Sequence, residues 1–342
     1  MKKWSTLESN PHAQQASVPI TTIPFTRTLE PNAPKTPYRR RTDEEKTAIH
    51  WGQRKLLMSE IEFLLLTLPK KKKCVVVYAG AAPGTHVRIL ADMFPSHLFI
   101  LVDPAPFTVR PEEGRIVIHQ CMFTDDVAKE LHSELEPNTH LLFISDVRSC
   151  DPELHSEQVY NERINADMHA QAQWHKLLRP FKSMLKFRLP YAPGKTEYLS
   201  GDIHLPVWGP SSTTECRLVV STHPDTQIYD HTEHEQKMFH FNTVTRVALY
   251  KHSVRGCGID HCFDCTSEVR ILTKYLRRMH PALASDQSVA ELSALISAGI
   301  SANRTLADKN PDREEKLKII RRNQWRDGEP SYEKFFKEEK PL

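Results

Sequence analysis

The chain has 342 residues, 39% of them hydrophobic and 26% charged, enough apolar material for one large domain or two small ones. A net charge of +3 and a pI near 8.4 are only mildly basic, which excludes a global field as the means of holding nucleic acid and leaves that task to local clusters. No run approaches the roughly eighteen uninterrupted apolar residues of a membrane helix, the Met1-Lys2-Lys3-Trp4 start lacks the apolar region of a signal peptide, and seven cysteines without framework spacing fit a reducing compartment, so the expectation is a soluble intracellular protein with no membrane partner.

Residues 1–42 form the first predicted region, an extended arm rich in Pro, Thr, Ser and Asn without periodicity, ending in the basic stretch Tyr38-Arg39-Arg40-Arg41. From Asp43 to Leu68, Ile49, Leu56, Leu57, Ile61, Leu64 and Leu65 recur at helical spacing and predict one long amphipathic helix. Lys70 to Lys73 is an unbroken basic run that, like Arg321-Arg322 near the end of the chain, reads as solvated surface ahead of a nucleic-acid contact. Strand and helix then alternate: strand 74–79, helix 84–93, strands 98–103 and 115–119, helix 124–135, strand 140–146, helix 157–178. That alternation predicts an α/β fold, a mostly parallel sheet with helices on both faces. Strands near 182–188, 202–208 and 215–221 follow with shorter connections, predicting an antiparallel C-terminal part. Helices at about 233–250 and 266–280 precede a polar, helix-prone tail. The expected units are the arm 1–42, a domain over 43–285 and a helical extension over 286–342.

Within this frame the segment Tyr78-Ala79-Gly80-Ala81-Ala82-Pro83-Gly84-Thr85-His86 follows the apolar strand Cys74 to Val77. Two glycines at a strand-to-helix turn admit a ligand close to the backbone, and amides at a helix start can hold a carboxylate or phosphate. The strand Leu98 to Val102 ends in Asp103, at the distance where dinucleotide folds place a carboxylate for ribose hydroxyls. S-adenosylmethionine and NAD both suit this pattern, and an ordinary helix start suits the turn alone.

Four charged residues supply the chemistry. Asp146 follows the apolar run Leu141-Leu142-Phe143-Ile144, so it is exposed at the sheet edge, partnered, or a helix cap. Lys186 lies inside Met184-Leu185-Lys186-Phe187, Glu215 opens a strand, and Lys55 sits in the long first helix. Each alone reads as solvated surface. In order, Lys55, Asp146, Lys186 and Glu215 form the Lys-Asp-Lys-Glu pattern of RNA ribose 2′-O-methyltransferases.

The blocks Trp51 to Glu60, Tyr78 to His86, Ile144 to Ser149, Leu185-Lys186-Phe187-Arg188-x-Pro190-Tyr191, Glu215-Cys216-Arg217-Leu218 and Glu235-Gln236-Lys237-Met238 together resemble the poxviral family of cap-specific mRNA 2′-O-methyltransferases. Members of that family also serve as poly(A) polymerase regulatory, or processivity, subunits. The resemblance covers about residues 38–280 and implies a Rossmann-like methyltransferase fold with S-adenosylmethionine as cofactor. Capped mRNA would be the substrate and a poly(A) polymerase catalytic subunit a partner. It implies a cytoplasmic location, at a viral replication site or in a virion, or a nuclear one if the source is a kinetoplastid.

The reaction it implies is methylation of the first transcribed nucleotide at its ribose 2′-OH. Lys186 would be the base, its pKa lowered by desolvation and by a second ammonium such as Lys55. Asp146 and Glu215 would orient the two ammonium groups, with Asp146 also near the methylsulfonium. The resemblance assigns the cofactor to Gln53, Tyr78, Gly80, Gly84, Asp103 and Asp146, with Phe123 near the adenine. It assigns RNA and cap to Tyr38, Arg188, Tyr191, Thr213, Thr214, Glu215 and Glu235, with Tyr38 and Tyr191 as stacking rings for the cationic base. Two positions depart from the family: Ala105 stands where an arginine follows the ribose-binding Asp, and Pro193 where a second edge-reading carboxylate is found.

Two other function classes stay open on the sequence, a noncatalytic RNA-binding subunit and an FtsJ-type methyltransferase on uncapped RNA. Cys257, His261, Cys262 and Cys265 form a compact group whose Cys-x-x-Cys end resembles half a zinc site. The other half is not evident. The competing expectation is a buried turn entering the helix near Thr266, with no metal.

Overall fold

A computed structural model describes residues 23–38, 51–68, 74–149, 156–191, 193–210 and 213–300. The basic groups Arg39 to Arg41, Lys70 to Lys73 and Arg321-Arg322, the first turns of the long predicted helix, and the extension beyond residue 300 lie outside these residues. Numbered in order over the described chain, the helices are α1 (Gly52–Thr67), α2 (Val87–Met93), α3 (Asp125–Glu134), α4 (Glu157–Leu178), α5 (His231–His240), α6 (Phe263–Met279) and α7 (Asp286–Ile300). The strands are β1 (Cys74–Ala79), β2 (His97–Val102), β3 (Ile116–His119), β4 (His140–Ser145), β5 (Lys182–Phe187), β6 (Lys195–Leu199), β7 (Asp202–His204), β8 (Cys216–Ser221) and β9 (Thr226–Asp230).

Seven strands form one sheet in the order β3-β2-β1-β4-β5-β8-β7. β1 to β5 are parallel; β8 runs antiparallel to β5 and to β7. The central strands are apolar on both faces, as a sheet covered on both sides requires. Val76, Tyr78, Phe99, Leu101, Leu142 and Ile144 pack with α1, α2, α6 and α7, while Val75, Val77, Val102, Phe143, Leu185 and Phe187 pack with α3, α4 and α5. The chain therefore reverses direction across β1, with β2 and β4 on its two sides. That reversal opens a crevice beyond the carboxyl ends of these strands, the place where open α/β sheets bind ligands.

The α/β architecture and its antiparallel C-terminal part are as the alternation predicts. Four local differences have physical causes. α2 starts at Val87 rather than at residue 84, because Gly84 takes a φ of +70° and keeps the turn open. α5 stops at His240 and continues as a π turn, Phe241–Thr245, where the Arg246 amide reaches the Phe241 carbonyl at 2.7 Å as its side chain turns inward. β6 and β9 pair antiparallel as a separate sheet that the sequence pattern does not show. α7, placed by the sequence in a polar extension, buries Val289, Leu292 and Ile296 in the same core as α1 and α6.

The predicted arm is also partly built in. Phe25 stacks against Phe263 at 5.3 Å, the Leu29 amide bonds the Ile203 carbonyl, and the Leu205 amide bonds the Arg27 carbonyl. Residues 27–29 thus extend the sheet edge beside β7.

Candidate active site

The glycine turn brings the chain ends together. Gly80 has a φ of +77°, and a Cβ there would lie 2.8 Å from the Val147 nitrogen and 2.9 Å from the Asp146 carbonyl carbon. Only glycine lets the segment after β4 cross the end of β1 so closely. The Asp146 amide still pairs with the Ala79 carbonyl at 3.0 Å, so its carboxylate stands immediately beyond the sheet.

Around it the four charged residues singled out from sequence do meet. Lys186 Nζ on β5 lies 3.0 Å from Asp146 Oδ1 and 4.0 Å from Glu215 Oε2. Lys55 Nζ on α1 donates to Glu215 Oε1 at 2.8 Å. Two guanidinium groups complete the cluster: Arg217 donates to Asp146 Oδ1 at 2.7 Å and stands 3.5 Å from Glu215, and Arg148 donates to the other Glu215 oxygen. These side chains are 5–18% exposed except Arg148, which is at the rim.

The electrostatics follow from that crowd. Burial pushes the Lys186 amine down; Asp146 and Glu215 oppose this, Arg148 and Arg217 add to it, and the result lies below the ordinary lysine value. Burial would raise Glu215 and Asp146, yet Lys186 and its cationic neighbours outweigh burial and hold both carboxyls down, Glu215 well below its usual range. The guanidinium groups of Arg148 and Arg217 are the leading like charges that lower Lys186, while Lys55 pairs with Glu215.

The residues expected at the cofactor are spread along the crevice. Gln53 turns its amide to His86 Nδ1 at 2.7 Å, and the Tyr78 hydroxyl donates to Glu60 beneath the turn, so a ligand above the turn meets only the Tyr78 backbone. Asp103 accepts from the Ala82 amide at 3.1 Å and the Ala105 amide at 2.8 Å. Ala105 thus answers the missing arginine with a backbone donor aimed at Asp103 itself. Ala82 serves Asp103 and the Gly80 amide bonds the Val102 carbonyl, so these two amides of the turn are used within the protein. A Cβ on Gly84 would meet Val109 at 2.8 Å. Phe123 is core, packed on Trp174 at 4.8 Å and on Phe143.

Of the residues expected to meet RNA and cap, Tyr191 is exposed and the Arg188 guanidinium stacks on it at 4.5 Å. Tyr38 lies edge-on to Phe239, one turn along α5 from Glu235, whose carboxyl burial raises. Thr213 and Thr214 act on the backbone: Thr213 Oγ1 accepts the Glu215 amide at 3.0 Å, and the Thr214 carbonyl accepts from His234 at 2.9 Å.

The cysteine group lies at a helix entry. Cys262 caps α6, its sulfur accepting from the Cys265 amide, and Asp260 accepts from the Cys262 amide. Asp260, Cys262 and Cys265 lie within 4.8 Å of one another, whereas the exposed Cys257 and His261 are outside that group. The helix begins three residues before the expected position.

The sequence profile of the Poly A polymerase regulatory subunit family matches residues 29–287. This chain belongs to that family. It is 31% identical over 214 residues to the cap-specific mRNA (nucleoside-2′-O-)-methyltransferase of fowlpox virus (strain NVSL), covering 57% of this chain and 68% of that protein. The myxoma virus (strain Lausanne) protein of the same name is 30% identical over 215 residues, 58% of this chain and 62% of that protein. Among solved structures, bluetongue virus VP4, described as a multifunctional RNA-capping production line, aligns with a TM-score of 0.38 and 14% identity over 70% of this chain and 40% of its own, a likeness too distant to bear on function.

In this member of the Poly A polymerase regulatory subunit family, sequence reasoning missed Arg217 and Arg148 as members of the charge cluster. Arg217 carried a signal: it lies in register opposite Lys186 inside a strand of buried apolar residues, where an arginine needs a carboxylate. It also missed Arg54, whose neighbours Gln53 and Lys55 drew attention while its own partners lie more than 200 residues away.

Proposed function

We propose that this chain is an RNA methyltransferase acting on the ribose 2′-OH of the first transcribed nucleotide of capped mRNA, with S-adenosylmethionine as donor and Lys186 as base. The observation that carries this reading is the gathering of Lys55, Asp146, Lys186 and Glu215, from four separate segments, at the carboxyl edge of a parallel sheet beside a glycine turn. The names of the fowlpox and myxoma relatives support it.

The donor set fits the cofactor. Asp103, half-buried at the end of β2, offers acceptor oxygens suited to ribose hydroxyls, and Asp146 offers negative charge for a sulfonium. Gln53, Gly80 and Gly84 are assigned to the same cofactor by this reading. When bound, S-adenosylmethionine supplies an electrophilic methyl group. A ribose hydroxyl is a weak nucleophile and must lose its proton, and a lysine held below its ordinary pKa can accept it as a neutral amine. Asp146 fixes Lys186, while Glu215 fixes Lys55 and Arg148, orienting the donors around the reacting hydroxyl. The surplus of cations over carboxylates draws the RNA backbone to this edge. Tyr191, Tyr38 and Glu235 would read the cap.

Incubation with labelled S-adenosylmethionine and short RNAs with or without a 7-methylguanosine cap tests the reading. Label on the 2′-oxygen of the first nucleotide, dependent on the cap, is expected; equal label on uncapped RNA removes the cap from the proposal, and no label on any RNA removes the activity. The family's description supports a second role beside a poly(A) polymerase catalytic subunit. Failure of the two chains to copurify from cells expressing both would dismiss it.

A further inference from the structure

Lys55 and Glu215 are 160 residues apart in sequence, yet they meet at 2.8 Å. What holds each end is the same helix. Arg54, next to Lys55 on α1, points away from the crevice into α6 and α7: its Nε donates to Glu268 Oε2 at 2.8 Å, Nη1 to Ser297 Oγ at 2.8 Å and Nη2 to Ser293 Oγ at 2.9 Å. Neither Arg54 nor Glu268 is more than 2% exposed. Glu268 also accepts from Trp208 Nε1 at 2.8 Å and Ser293 Oγ at 2.7 Å, so its carboxylate is saturated and fixed.

One turn earlier on α6, Asp264 is equally buried. It accepts from the Trp208 amide at 3.0 Å and from Arg246 Nε at 3.1 Å. Arg246 in turn donates to the Gly209 carbonyl at 2.7 Å and the Pro210 carbonyl at 2.9 Å. Pro210 accepts the Thr213 amide, and Thr213 Oγ1 accepts the Glu215 amide. Both ends of the Lys55–Glu215 contact are therefore referred to two carboxylates on one face of α6.

We propose that Glu268 and Asp264, through Arg54 and Arg246, are positioning residues that set the Lys55–Glu215 contact, an inference that rests on the proposed methyl transfer. Charged groups buried this deeply are costly, and an apolar pair would pack α1 on α6 without loss. What an apolar pair lacks is direction. A bidentate fork plus two serines fixes the rotation of α1 about its axis, and that rotation decides where Lys55 points. If Lys55 withdraws, Glu215 is left to Lys186, whose proton it then favours.

The test is the double variant Arg54→Met with Glu268→Met, which removes both charges together and leaves neither stranded. In protein that still unfolds cooperatively, kcat for 2′-O-methylation is expected to fall about tenfold with less than about a twofold change in KM for RNA, and the same double change is expected to add under about twofold on a Lys55→Met background. Acetylation of Lys55, followed by mass spectrometry, is expected to quicken at least about threefold against wild type while that of Lys186, whose proton Glu215 then favours, does not quicken. This second readout needs no activity: should the wild-type protein methylate no RNA, the reaction fails while Lys55 labelling still decides the positioning. Unchanged Lys55 labelling, or a kcat loss that multiplies fully with that of Lys55→Met, overturns it. If the double variant does not fold, Arg54→Lys replaces it, keeping an ion pair with Glu268 while losing the fork; the same quickening of Lys55 labelling is expected, and its absence overturns the proposal.

Discussion

Two groups of buried charges lie side by side in this molecule and are built on opposite plans. On α6, Arg54 meets Glu268 and Arg246 meets Asp264, one guanidinium to one carboxylate, with all four side chains no more than 2% exposed. At the sheet edge, Lys55, Lys186, Arg148 and Arg217 share only Asp146 and Glu215, and the side chains keep a margin of exposure. A balanced, sealed pair fixes geometry and has no reason to exchange a proton. An unbalanced cluster open to the crevice holds one cation too weakly, and that cation, Lys186, is the group able to give up its charge. On the proposed reading, this difference separates scaffold from chemistry.

The contrast breaks most visibly at Lys186. Lys186→Met should lower the rate of methyl transfer by about 10²–10⁴-fold, the contribution of a general base, with cofactor binding unchanged. Single-turnover kinetics and calorimetry check this together. A rate within about tenfold of wild type would show that the cluster orients the substrate and takes no proton.

The scaffold pairs should answer in stability rather than rate. Glu268→Gln strands the Arg54 guanidinium in the core and is expected to cost about 3–5 kcal/mol in urea unfolding, whereas the double Met variant recovers most of that loss. If the single and double variants unfold alike, the pair is not coupled and the contrast with the sheet edge loses its first term.

Much of this was legible beforehand, because patterns of period and order survive in sequence. The strand run from Cys74 to Phe187, the glycine turn and the spacing of Lys55, Asp146, Lys186 and Glu215 all rest on local signals joined by chain order. What stayed hidden depends on distant partners. The roles of Arg54 and Arg217 emerge only when Glu268 and Asp146 are placed beside them. The β6–β9 pair joins Lys195–Leu199 to Thr226–Asp230 across an intervening strand pair, and Tyr198 and Tyr229 are its main buried anchors, too sparse for a strand pattern. α7 did carry a helical period in Val289, Leu292 and Ile296, two of its serines serving Arg54, but the strongly charged sequence after residue 300 makes the extension as a whole read as polar.

Glu62 on α1 is an intermediate case, balanced against Arg27 and His204 but 13% exposed. Burial would raise its carboxyl, yet Arg27 first and His204 next bring it down to about 2 from an ordinary 4.5. A depressed carboxyl stabilises the folded state above the unfolded value and loses that contribution as pH falls from 4.5 towards 2, an effect of about 3 kcal/mol. Since Arg27 belongs to the segment that edges β7, acid should release that segment before the core. Hydrogen exchange at the Leu29 and Leu205 amides is expected to quicken over this window, and Glu62→Gln should abolish the pH dependence. Exchange that follows the core amides instead would mean the segment is held by Phe25 packing alone.

The smallest effect is the most specific. Arg217 is one of two guanidinium groups that push Lys186 down, and it also neutralises Asp146. In Arg217→Gln both influences reverse: Lys186 loses a repelling neighbour and gains a freer carboxylate, so its pKa rises. In its proposed role as base the amine acts only when neutral, so the rate is expected to climb with pH through the Lys186 pKa. Raising that pKa moves the limb to higher pH. At a pH on the limb, the variant should be slower by about tenfold, and it should regain the wild-type rate above it. A loss that no increase in pH restores would place Arg217 with Arg54 and Arg246, as a residue that holds shape, and the excess of cations at the sheet edge would then serve RNA binding alone.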